Sequence, residues 1–217
     1  MDERATGLIL RTRPLTETSL IVQWLTPDCG RIATVARGAR RAKSAFRGKL
    51  DLFYLADFSF ARSCRSDLHT LREVSLRETH SALRREIELL QQAAYGAALL
   101  EQTTETETPL PGAFELLREF LQQLPLPPLT ARTVFAFELK LLRELGLQPD
   151  WTASRLSPGT RSLAEKLATL DWGTLARLKL SQPQTAELDH FLHGYLIYHL
   201  GRIPAGRTAA LQRAAFA

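Results

Sequence analysis

Apolar and polar residues alternate with a period of two over the first third of the chain, and with a period near 3.6 beyond it. Thr6–Thr12 (TGLILRT) reads as a strand stopped by Pro14. Ser19–Thr26 (SLIVQWLT) reads as a second, followed by the turn residues Pro27-Asp28-Cys29-Gly30. Ile32–Ala36 is a third. Between Leu52 and Phe60, Leu52, Tyr54, Ala56, Phe58 and Phe60 share one face, with Asp57 and Ser59 on the other. His69–Arg77 is a weaker fifth strand. Five short strands in about 75 residues, with no helix between them, predict a small closed or nearly closed β-barrel. Its continuous apolar face assigns Tyr54, Phe58 and Phe60 to the core.

Near residue 80 the pattern turns helical. Ser81 is placed to cap a helix over Leu83–Gln102, and Thr103–Gly112 reads as a polar, proline-containing connector. Phe114–Leu124 is a short amphipathic helix ended by Pro125, Pro127 and Pro128. Thr130 can cap a helix running to Leu145, with Gly146 as its stop. Val134, Phe135, Phe137, Leu139, Leu141, Leu142 and Leu145 leave that helix little polar face, so it is expected to be the central one. Thr160–Leu170 and Gly173–Leu180 are shorter candidates, and Thr185–His199 is a second core helix. The tail Gly201–Ala217 is basic and alanine-rich, with order expected only in its middle. The expected architecture is α+β: a barrel domain over 1–80 and an all-α domain over 81–217.

Charge sharpens this division. The net charge of +5 comes from 28 Lys/Arg against 23 Asp/Glu. Residues 1–80 hold 14 cations and 9 acids, leaving 14 of each for the remainder, so the whole excess lies in the barrel. Half of those 14 cations are concentrated in Arg31–Lys49, RIATVARGARRAKSAFRGK, where Arg31, Arg37, Arg40, Arg41, Lys43, Arg47 and Lys49 meet no acidic residue. So many cations cannot all be paired in an apolar interior, and a glycine-framed basic run after a strand is an electrostatic footprint for a polyanion. It is equally compatible with a solvated loop. Phe46, alone among these charges, either stacks a base or pins the loop to the barrel.

Other chemistry is absent by pattern. Gly38-Ala39-Arg40-Arg41-Ala42-Lys43-Ser44 lacks the second glycine of a phosphate-binding loop, and no Gly-x-Ser-x-Gly or His-Glu-x-x-His occurs. His190 and His193 stand three apart with no further ligand beyond the adjacent Asp189, so no metal and no catalytic residue is expected. No apolar run approaches the ~18 residues of a membrane span. The acidic MDERATGLIL start lacks the layout of an export signal, and Cys29 and Cys64 read as incidental thiols of a reduced cytoplasmic protein.

Several spaced segments carry a resemblance: Leu8-Ile9-Leu10-Arg11-Thr12-Arg13-Pro14, Glu17-Thr18-Ser19-Leu20, Leu25-Thr26-Pro27, Gly30-Arg31 and Ala36-Arg37-Gly38-Ala39-Arg40, then Phe137-Glu138-Leu139-Lys140-Leu141-Leu142-Arg143-Glu144-Leu145-Gly146. Together they resemble the RecO family of bacterial DNA repair and recombination mediators. The resemblance implies an N-terminal OB-fold followed by a helical domain, and a non-catalytic, nucleoid-associated role. It implies binding to single- and double-stranded DNA, annealing of complementary strands, and cooperation with single-stranded DNA-binding protein (SSB) and RecR in loading the recombinase RecA. By position, the DNA-binding residues would be Arg37, Arg40, Arg41, Lys43, Arg47 and Lys49, with Arg31 and Phe46 beside them. Many relatives carry a four-cysteine zinc module after the central helix. Here Gln148-Pro149-Asp150-Trp151 runs to Leu156-Ser157-Pro158-Gly159 without a cysteine, so no zinc and no other cofactor is expected. Relatives also place basic residues before the Phe-Glu-Leu signature to hold the acidic SSB tail. Phe135-Ala136 stands there, with Arg132 and Lys140 one turn to either side as the candidates for that role. An RNA-binding factor or an adaptor for acidic peptides would share the same barrel and charge.

Overall fold

A computed structural model describes residues 2–127 and 130–212. Five strands, β1 (Asp2–Pro14), β2 (Leu20–Thr26), β3 (Gly30–Ala36), β4 (Leu55–Ala61) and β5 (Leu68–Glu78), close into a barrel in the order β1-β2-β3-β5-β4. All neighbours are antiparallel except β3 and β5, which pair in parallel through Ala33–Val35 and Leu68–Thr70. The expected alternation holds: in β3 every second residue from Gly30 is buried, and in β4 Phe58 and Phe60 point inward. Tyr54 lies just outside β4, half-buried against the same core. Trp24 and Phe58 stack there at 4.0 Å, and the Trp24 indole N–H donates to the buried Thr34 hydroxyl at 2.9 Å, so burying the ring leaves no orphaned donor.

Two compact units form: one runs to His80 and includes Thr104–Glu115, the other joins Ser81–Thr103 to the residues from Leu116 onward. The connector read between two helices is therefore a strap on the barrel. The Arg31 guanidinium donates to the Thr104 carbonyl at 2.6 Å, and the Glu107 N–H donates to the Arg31 carbonyl at 2.9 Å. The Glu107 carboxylate lies 3.0 Å from both Arg62 Nη1 and the buried His69 Nε2. Arg62 also holds Glu3 at 2.7 Å; that bond, offset slightly by desolvation, keeps the Glu3 carboxyl below its usual range.

The helical unit begins with a 3₁₀ turn at Ser81–Arg84, so Ser81 does not cap the long helix, which starts only at Ile87. The helices are α1 (Ile87–Thr103), α2 (Pro111–Gln123), α3 (Ala131–Glu144), α4 (Pro158–Thr169), α5 (Trp172–Leu175), α6 (Gln182–Leu200) and α7 (Arg207–Leu211). Of the prolines expected to end the second helix, Pro128 lies outside the described residues. α5 is one turn rather than Gly173–Leu180. α6 starts earlier than its apolar spacing suggests, because Ser181 and Gln184 form a reciprocal capping box.

The central helix α3 carries one polar side chain into the core. Glu138, fully buried, receives the Tyr95 hydroxyl at 2.5 Å and two N–H groups of Arg207 at 2.7 and 3.1 Å; Arg207 also reaches Asp189 at 2.5 Å. Burial, followed by the Glu138 charge, drives the Tyr95 hydroxyl far above its usual range. Burial alone would lower Arg207, but the Glu138 carboxylate outweighs it and fixes the guanidinium as a cation. The middle of the supposed tail thus supplies a core residue; 213–217 lie outside the described residues.

Arg207→Met removes one partner of a desolvated pair, and we expect a loss of about 3–5 kcal/mol in urea unfolding, against a smaller loss when Glu138→Gln is added. Barrel stability should fall as pH drops through the depressed Glu3 and Asp57 values, since a lowered carboxylate pKa gives stability that protonation removes. Arg62→Ala should flatten the acid limb.

Candidate nucleic-acid interface

The basic segment after β3 is a succession of turns. Arg41 N–H donates to Gly38 O at 3.1 Å, Ser44 to Arg41 at 3.1 Å, Arg47 to Ser44 at 3.2 Å and Lys49 to Phe46 at 3.0 Å. Gly38 and Gly48 take φ of +69° and +72°, a conformation that costs other residues steric strain. The Arg40 N–H and guanidinium donate to the carbonyls of Thr18 and Thr16, at 3.0 and 3.2 Å, tying the loop to the β1–β2 turn. Phe46 is half-buried against the barrel core. That contact suits the second of its two readings, a pin for the loop, and its ring also lines two hollows.

The first hollow, about 320 Å³, is walled by Arg40, Arg41, Arg47 and Phe46 with Leu20 and Leu50; no acidic side chain lines it. The second is a groove of about 710 Å³ that Phe46 and Lys49 share with Arg4 of β1 and Arg72 of β5. Asp28, Asp57 and Glu73 also line it. Asp57 is engaged: the Thr6 hydroxyl at 2.6 Å and Arg77 at 2.7 Å hold its carboxyl below the usual range. Arg72 lies 3.7 Å from Asp2.

Arg37, Arg40, Arg41, Lys43 and Arg47 are exposed and Lys49 is half-buried. Among the described residues, none of these six has a carboxylate within ion-pair distance. Arg31 is not brought to them: half-buried, it is committed to the strap. The turn bonds and glycine conformations give the segment a fixed path, which a merely solvated loop does not require. Arg4 and Arg72 escape a sequence reading because each sits on a strand far from the basic run. The available signal was their outward position in the alternation.

Arg132 and Lys140 project from α3 in the helical unit. Arg132 donates to Leu178 O at 2.7 Å, and Lys140 donates to Leu170 O at 2.5 Å with its ammonium 5.5 Å from the Trp172 ring centre. Burial lowers the pKa of both. Arg132 also borders a hollow of about 20 Å³ with Leu126 and Trp172.

Comparison with known proteins matches residues 1–80 to the family described as Recombination protein O N terminal and residues 84–154 to Recombination protein O C terminal. A relative from Anaeromyxobacter sp. (strain K), named DNA repair protein RecO, is 29% identical over 94% of this chain and 94% of its own. Proteins of the same name from Rhodopirellula baltica and Bacillus subtilis (strain 168) are 34% and 31% identical over 66% and 69% of this chain. Those two alignments span 53% and 58% of the relatives' own lengths.

If Phe46 pins the loop, Phe46→Ala should cost about 1–2 kcal/mol and speed tryptic cleavage after Arg40, Arg41 and Arg47 several-fold. Phe46→Leu should restore most of the protection. Equal cleavage in all three proteins would show that the turns stand without it.

Proposed function

This chain belongs to the RecO family of DNA repair proteins, and on that premise we propose that its barrel is a non-catalytic DNA-binding module that brings single strands together for annealing. The reading rests on one observation: six cations on the turns of 37–49, five exposed and Lys49 half-buried, have no carboxylate partner among the described residues, and three of them, Arg40, Arg41 and Arg47, wall a hollow with no acidic side chain. Cations held in this way neutralise phosphates and release counterions, which is the sequence-independent part of nucleic-acid affinity. Two strands each partly neutralised repel one another less. The second groove, with Arg4, Lys49 and Arg72, extends the path for a backbone, and the exposed part of Phe46 offers a surface to a base. No residue pattern in the segment suggests base-specific readout, so little sequence preference is expected.

The wider role follows the family resemblance: binding to single- and double-stranded DNA, contact with RecR and SSB, and help in placing a recombinase on SSB-covered strands. For the acidic SSB tail, Arg132 and Lys140 are the candidates. Each is a partly desolvated cation whose partner is a backbone carbonyl, and a carboxylate would suit either better. Among the described residues no helix is long and apolar enough to cross a membrane.

Purified protein should anneal complementary oligonucleotides, with and without SSB, and Arg40→Glu/Arg41→Glu/Lys43→Glu should slow annealing at least tenfold on both substrates. Unchanged annealing by the triple variant would remove the loop from the mechanism. A strong preference for RNA over matched DNA in competition would instead favour an RNA-binding factor.

A further inference from the structure

Nucleic-acid binding does not account for the outward side of α6. Leu188, Leu192 and Leu196 form its one fully buried row. Along the opposite side run Ala186, His190, His193, Gly194, Ile197 and Tyr198, all exposed, and none of them is Lys, Arg, Asp or Glu. The two acids of the helix are occupied elsewhere: Glu187 accepts from Ser157 at 2.5 Å, and Asp189 from Arg207. Ile197 and Tyr198 are 43% and 83% exposed. A helix face turned to water ordinarily carries mixed charge, whereas neutral faces with exposed aliphatic and aromatic side chains mark contact surfaces.

Gly194 adds a second observation. Glycine inside a helix costs stability relative to alanine, so its presence needs a packing reason. At Gly96 in α1 the reason is internal, since a Cβ there would fall 2.7 Å from the Phe120 ring. At Gly194 a Cβ would meet nothing within 4 Å. The chain itself does not require the glycine; a neighbour approaching the helix closely from outside would.

The chemistry of the face narrows that neighbour. A nucleic acid or an acidic peptide would need cations on it, and it has none. What matches is another neutral face of imidazole, phenol and aliphatic groups. We propose that this neighbour is a second copy of the chain, its α6 crossing antiparallel at Gly194 about a two-fold axis. Each Tyr198 then faces the partner's His190, both four residues from the crossing. An isologous contact must be self-complementary, and this face opposes no like charges when paired with itself. One helix pair covers less than the roughly 1,200–2,000 Å² of stable interfaces, so the dimer is weak and concentration-dependent.

The test places cysteine at the axis. In a Cys29→Ser/Cys64→Ser chain, Gly194→Cys should form a disulfide-linked dimer on mild oxidation, and its open surroundings leave the fold intact. Gln182→Cys, which the same arrangement puts about 36 Å from its counterpart, should not. In sedimentation equilibrium the unmodified chain should pass from monomer to dimer with concentration, and Tyr198→Lys should weaken that association at least tenfold. A monomer at every concentration, or cross-linking at Gln182→Cys as fast as at Gly194→Cys, would overturn the proposal.

Discussion

Mutual repulsion among the cations of residues 37–49 is the constraint around which the barrel unit is arranged. Six positive charges on thirteen residues repel one another by up to about 1 kcal/mol per close pair in water, and salt screens all but the nearest. Several such pairs amount to a few kcal/mol. The loop resists with local means: successive turn hydrogen bonds at about 1 kcal/mol each, two glycines in conformations other residues avoid, and Phe46 seated on the barrel core. On the proposed reading, a polyanion would relieve this repulsion on binding.

Elsewhere the same residue types are handled in the opposite way. Arg207 is desolvated and fully paired, between Glu138 and Asp189. Arg31 and Arg62 hold the strap to the barrel. The 14 cations and 14 acids beyond residue 80 cancel. Charge in those places fixes structure, whereas on the loop it is held outward and unspent.

Much of this was legible from local pattern. Period-two alternation marks the five strands because each has one wet and one dry face, and β3 and β4 obey it almost residue by residue. Glu138 was legible in principle: it lies three or four residues from Phe135, Val134, Leu141 and Leu142, so the helical period that buries them buries it too. Its partners were not, because Tyr95 and Arg207 are 43 and 69 residues away and no local period links them. Arg31 was read with the basic run by adjacency. Its strand position instead turns it to Thr104, 73 residues on, a pairing that depends on where the chain returns. Ser81 failed as a cap for a local reason: the chain spends one 3₁₀ turn before the helix begins.

The central claim is that the 37–49 cations form the contact with sugar-phosphate chains, and the salt dependence of affinity for a single-stranded oligonucleotide tests it most directly. With about six phosphates neutralised, log K against log[salt] should fall with a slope near −4, and Arg40→Glu/Arg41→Glu/Lys43→Glu should bring it close to −2 or shallower. An identical slope in the two proteins would contradict the account, because the charges removed would then have released no counterions.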